Sequence, residues 1–165
     1  MRVVTLKHSR QMQKFMPQVW ELLRDSYAQV QGGWHYASEQ ELLDDSQCWR
    51  LVIHNGQVAA AVVYKAKKGL KLVAMGVDRA LNEIGKRGLI RIIRADLSRC
   101  WMEVSEAAER FVMRHCNGQR YMIHGSLVAD LLDKQVDPAS DAYHYQREVC
   151  GLRKEKMLLG TPLLT

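Results

Sequence analysis

The apolar positions of residues 10–31, "RQMQKFMPQVWELLRDSYAQVQ", fall in helical order. Phe15, Val19, Leu22, Leu23 and Tyr27 recur at steps of three and four, the spacing of one helix face. Pro17 lies near the front and marks either a first turn or a kink. Gly32-Gly33 is the expected stop. Ahead of this helix, "RVVTLKH" at 2–8 is rich in β-formers and predicts a strand. Behind it, Ser38 with Glu41 three residues on is a capping-box pattern, which predicts a short second helix over 38–46.

The pattern then changes to strands. "CWRLVIHNGQVAAAVVYKAKKGLKLVAMGVD" holds two turn signals, Asn55-Gly56 and Lys67-Lys68-Gly69. Asn-Gly between apolar runs is the strongest short hairpin signal, because a tight hairpin turn requires positive φ at both positions. A three-stranded antiparallel meander follows, over 49–54, 57–65 and 70–77. Its middle strand is almost wholly apolar, as for a strand covered on both faces. Residues 88–99 predict a helix with Leu89, Ile92, Ile93 and Leu97 on one face. "CWMEVS" is a short strand, and "SEAAERFVMRH" a helix capped by Ser105. "QRYMIHG" reads as a strand, "SLVADLLDK" as a short helix, and "AYHYQREV" at 142–149 as a final strand. The fold class is α/β (α+β): a mixed, mainly antiparallel sheet with helices on both faces. One domain spans 1–150. The tail 151–165 either covers a partner subunit's edge strand, which would make a homodimer, or lacks fixed order.

Composition narrows the class. The chain has 165 residues, 47% of them apolar, enough for one domain with a core. No apolar run approaches the ~20 residues that cross a bilayer, and the start lacks a signal-peptide pattern. A cytoplasmic protein is expected. Cys48, Cys100, Cys116 and Cys150 show no C-x-x-C spacing, and the six histidines show no ligand spacing, so no metal is expected. The net charge of +6 suits an anionic partner such as nucleic acid, an acidic protein or a phosphorylated cofactor.

The segment "MGVDRALNEIGKRGLIRII" at 75–93 carries the clearest candidate for chemistry. It joins a strand to a helix through Gly85-Lys86-Arg87-Gly88. A helix N-terminus offers unpaired N–H groups and the positive end of a dipole, so it favours anions. Glycines allow close backbone approach, and Lys86 and Arg87 would add charge-assisted hydrogen bonds to phosphate oxygens.

With "WMEVSEAAERFVMRHCNG" following, this order of elements resembles the GNAT superfamily of acyl-coenzyme A N-acyltransferases over nearly the whole chain. The family's loop reads Gln/Arg-x-x-Gly-x-Gly/Ala. Here Asn82-x-x-Gly85-x-x-Gly88 is one residue longer. The resemblance implies an N-acyltransferase that uses acetyl-CoA or another acyl-CoA on an amine-bearing acceptor, which attacks the thioester directly. It implies cofactor contacts from Gly85, Lys86, Arg87 and Gly88 to pyrophosphate, and from Met75, Gly76 and Val77 to the pantetheine arm and thioester. Glu103, a carboxylate in an apolar strand, is the first choice for the base, with Asp78 the alternative. The tyrosine usual after the family's fourth helix is missing, Phe111 standing in that region. Tyr121, Tyr143 and Tyr145 remain as candidate acids. Trp34, His35 and Tyr36 lie in the loop that borders the acceptor site in this family. The competing reading is a non-catalytic domain of this type whose basic surface binds nucleic acid or a protein partner.

Overall fold

The computed structural model describes residues 1–28, 34, 36–67, 70–96, 100–104, 111, 114–115 and 155–158. The chain divides into two compact units. The first comprises 1–66 with 72–95, and the second 67–71 with 96–165.

The first unit is built on four neighbouring strands: β1 (Arg2–Leu6), β2 (Cys48–His54), β3 (Gln57–Ala66) and β4 (Leu70–Val77). β1 and β2 pair antiparallel, Arg2 opposite Ile53 and Leu6 opposite Trp49. β2 and β3 pair antiparallel from Cys48 opposite Tyr64 to His54 opposite Gln57. The predicted Asn-Gly turn joins them, with φ of 49° at Asn55 and 76° at Gly56. Only three residues connect β3 to its neighbour β4, too few for a parallel crossover, so this pair is antiparallel as well. The register shifts between Val52 and Ile53. Val52 faces Ala60 and Ile53 faces Val58, so Ala59 bulges out of the ladder.

Helices cover both faces of this sheet. α1 (Ser9–Tyr27) buries Met12, Met16, Val19, Leu22 and Leu23. They join Trp49, Leu51, Ile53, Ala61 and Val63 in one apolar cluster. Pro17 is inside α1 rather than at its first turn, and the helix continues through it. Pro17 is exposed, so its missing N–H falls on the outer side of the helix. α1 ends at Tyr27, before the expected Gly32-Gly33 stop, which lies outside the described residues. α2 (Glu39–Asp45) has the predicted cap: Ser38 Oγ accepts the Glu41 N–H at 3.2 Å. Glu41 reaches back to the N–H of Ala37 at 2.8 Å.

α3 (Asn82–Asp96) packs on the opposite face, since it meets Val52 while α1 meets Leu51 and Ile53. It turns Leu89, Ile92 and Ile93 inward. The sequence pattern placed its start at residue 88, and the structure starts it at Asn82.

In the second unit β5 (Cys100–Val104) pairs antiparallel with β6 (Glu155–Leu158). The segment expected to be a tail thus contributes a strand. Phe111, Arg114 and His115 are helical, within the predicted helix. The final strand expected at 142–149 lies outside the described residues.

Candidate functional site

The corner between β4 and α3 is held by three sets of hydrogen bonds. The Asp78 N–H donates to the carbonyl of the bulged Ala59 at 2.8 Å. Asp78 Oδ1 accepts the N–H groups of Ala80 at 2.9 Å and Leu81 at 3.1 Å. The Leu81 carbonyl accepts the Gly85 N–H at 2.8 Å, which is the first helical bond of α3. The N–H groups of Asn82, Glu83 and Ile84 are therefore the first-turn donors that have no carbonyl within the helix.

Gly85 and Gly88 are not in a loop. Both lie on the inner face of α3 and serve its packing. A Cβ at Gly85 would stand 2.3 Å from the Ala59 carbonyl oxygen, and one at Gly88 would stand 2.3 Å from Val52 Cγ2. The glycines let the helix axis approach the sheet closely, and the Gly85 N–H is spent inside the helix. Lys86 is half-buried and Arg87 is exposed on the outer side. The expectation of a glycine loop opening a helix at 88 is corrected accordingly: the run is helical already, and the anion-favouring end is one turn earlier.

Next to this corner is an open cleft of about 670 Å³ within the first unit, lined among others by Gln18, Glu21, Asp25, Gln57, Asp78 and Arg79. Arg79 Nε binds Asp25 Oδ2 at 2.8 Å, with both side chains largely exposed. Three carboxylates face one guanidinium, so the cleft is locally acidic on a chain of net charge +6. Gln18 Oε1 fixes one wall by accepting the Val58 N–H at 3.0 Å.

On β4 itself, the Met75 N–H donates to Tyr27 Oη at 3.1 Å. Gly76 makes this contact possible. A Cβ there would lie 2.3 Å from Ser26 Oγ, so only glycine lets the end of α1 come this near the strand. Burial pushes the Tyr27 phenol up from its ordinary pKa, and the Met75 N–H offsets part of that. Tyr27 was not among the sequence candidates because it reads as one more apolar position of α1, 48 residues away from its partner. The glycine in an otherwise apolar strand was the available signal of a close approach.

Trp34 packs between aromatic neighbours, 5.2 Å from Trp20, 5.8 Å from Tyr27 and 5.7 Å from Tyr36 between ring centroids. Tyr36 is buried and donates its hydroxyl to Asp45, which also accepts from Lys65 at 3.2 Å. Burial and the Asp45 carboxylate push the Tyr36 phenol well up. Both side chains thus belong to the packed end of α1 and α2. His35 lies outside the described residues, as do Tyr121, Tyr143 and Tyr145. Glu103 is in β5, in register with Lys156. Among the described residues no group of three or more His, Cys, Asp or Glu side chains could hold a metal ion. No helix among them is long and apolar enough to cross a membrane.

No protein-family model and no curated protein matches the chain. Solved structures do. N-acetylglutamate synthase of Neisseria gonorrhoeae, complexed with coenzyme A and N-acetyl-glutamate, aligns with a TM-score of 0.56 at 15% identity, over 95% of this chain and 34% of its own. This chain therefore spans about a third of that protein. The ribosomal-protein-alanine N-acetyltransferase of Escherichia coli aligns at 0.52 and 13% identity over 99% of both chains. An aminoglycoside acetyltransferase from an uncultured soil metagenomic sample aligns at 0.50 and 9% identity, over 74% of this chain and 92% of its own. The chain has the fold of the GNAT N-acetyltransferases.

Proposed function

We propose that this protein is an acyl-CoA-dependent N-acyltransferase acting on an amine. The observation that carries the reading is the fold itself, shared over 99% of both chains with an N-acetyltransferase. The residues present suit an anion at the first turn of α3, where Asn82, Glu83 and Ile84 offer N–H groups with no intrahelical acceptor and Lys86 lies one turn further on. When bound, an acyl-CoA would supply the activated thioester, and Gly76 and Val77 continue the β4 backbone that the resemblance assigns to it.

The remaining roles fall to the chain's own side chains. Glu21, Asp25 and Asp78 attract a protonated amine into the cleft. Glu103, which lies in the second unit, is kept as the proposed base on the sequence reading alone. Tyr27 joins Tyr121 and Tyr145 as a proposed acid: its oxygen accepts from Met75, which leaves its own proton free to be donated. Which amine is accepted is a matter of the site, not of the fold.

A second reading, a non-catalytic domain of the same fold, is favoured by one feature. The Tyr27 hydroxyl already takes the Met75 N–H, and the Asp78 carboxylate, bonded to Ala80 and Leu81, puts negative charge just ahead of the turn where an anion would be held.

Thermal unfolding with and without millimolar acetyl-CoA separates the two. At a hundredfold excess over Kd, a ligand of the native state adds about 2.7 kcal/mol. For a chain of this size that raises Tm by roughly 5–10 °C. Removing the carboxylate with Asp78→Asn is expected to enlarge the shift. No shift with acetyl-CoA or longer acyl-CoAs would overturn the enzyme reading in favour of the second.

A further inference from the structure

The Lys86-Arg87 pair changes meaning once α3 is seen to run from Asn82 to Asp96. The helix buries Gly85, Gly88, Leu89, Ile92 and Ile93. Its opposite side is exposed, and Arg87, Arg91 and Arg94 stand there at i, i+4 and i+7, which places them on one stripe. At 1.5 Å per residue the stripe is about 10 Å long. The half-buried Lys86 flanks it. Glu83, one turn before Arg87, is the single carboxylate along the same line.

Arg91 and Arg94 are too far along the helix to serve an anion at the first turn of α3. Arg91 is nine residues past Asn82, about 13 Å down the axis. The arginines instead match an extended row of negative charge. One strand of a nucleic-acid duplex presents a phosphate about every 3.4 Å, so 10 Å of helix faces about three. Guanidinium groups bind phosphate oxygens in a bidentate fork. Arg79 is bound to Asp25 in the acidic cleft and precedes α3, so it lies off this stripe. The exposed stripe carries no aromatic side chain on which a base could stack.

We propose that the outer face of α3 is a sequence-independent binding surface for the phosphate backbone of nucleic acid, with Arg87, Arg91 and Arg94 as its contacts. The surface needs no acyl-CoA, so it stands or falls separately from the enzymatic reading, and it names the partner under the non-catalytic one.

The test is fluorescence anisotropy of labelled RNA, single-stranded DNA and duplex DNA, titrated with the full chain between about 50 and 200 mM salt. Three phosphate contacts predict a slope of log K against log salt of about −2.7 on duplex and about −2.1 on single strands. Arg87→Gln with Arg91→Gln should flatten the slope by about two, with equal loss on unrelated sequences. Glu83→Lys, which completes the stripe, should steepen it by about one. Absence of binding at the lowest salt overturns the proposal, and so does a slope unmoved by either variant. Equal competition by a polyglutamate peptide also overturns it and assigns the stripe to an acidic protein. A double variant that loses only its acetyl-CoA thermal shift returns Arg87 to the cofactor and sinks the proposal too.

Discussion

At Gly85 two uses of glycine compete. A glycine can open a cradle for a ligand, or it can let two elements touch. Here the missing Cβ would collide with a main-chain oxygen, Ala59 O at 2.3 Å, which has no side-chain rotamer to yield. Gly85→Ala should therefore destabilise the fold by about 1–3 kcal/mol through overpacking, against about 1 kcal/mol that alanine gains in helix propensity. Urea unfolding midpoints measure the balance. A variant as stable as the parent, or more so, that lost acetyl-CoA binding would restore the cradle. The pattern of glycines was legible in the sequence, but the partner on the far side of each was not. Ala59 meets Gly85 only because a bulge pushes that residue out of register.

At the scale of elements, local signals were read correctly where they were complete within a few residues. Asn55-Gly56 adopts the positive φ that a tight hairpin needs. Ser38 caps the start of α2 as the box pattern predicts, while Glu41 reaches one residue further back, to the N–H of Ala37. Ser38→Ala removes the acceptor of the Glu41 N–H and should cost about 1 kcal/mol, read as a lower Tm with the native spectrum unchanged. α3 was misplaced by six residues because Gly85 and Gly88 suggested a break. Ile84, half-buried one turn ahead of Gly88, continues the apolar face upstream and was the signal to weigh against them. Asp78 was the second signal, since a short acidic side chain commonly precedes a helix, and here it takes the N–H groups of Ala80 and Leu81 just ahead of α3.

Across the molecule, net charge and local charge disagree. The +6 balance favours anions at long range, and the α3 stripe agrees with it, yet the cleft beside α3 gathers Glu21, Asp25 and Asp78. A basic exterior and an acidic cleft suit an anionic partner and an amine ligand at different places. Stability at high pH is also a property of the whole fold. Tyr27 and Tyr36 both have folded pKa values raised above the ordinary 10.0. Such groups hold their protons more tightly when folded, so their contribution is complete below pH 10 and is lost as pH rises beyond it. Unfolding free energy should fall above about pH 10, and Tyr36→Phe should make that fall shallower. A profile indifferent to the replacement would show that Tyr36 ionises alike in both states.

The sequence by itself determined the strand meander, the capped second helix, the class of fold and the general basic charge. Each depends on period, turn chemistry or composition, which are written locally. Tertiary structure decided what the glycines of α3 are for, that Tyr27 reaches Met75 across 48 residues, and that carboxylates from α1 and from the β4–α3 corner share one cleft. Those outcomes depend on which distant backbone arrives opposite a given residue. Neighbours along a sheet and its covering helices are set by packing, and packing joins positions that no local pattern relates.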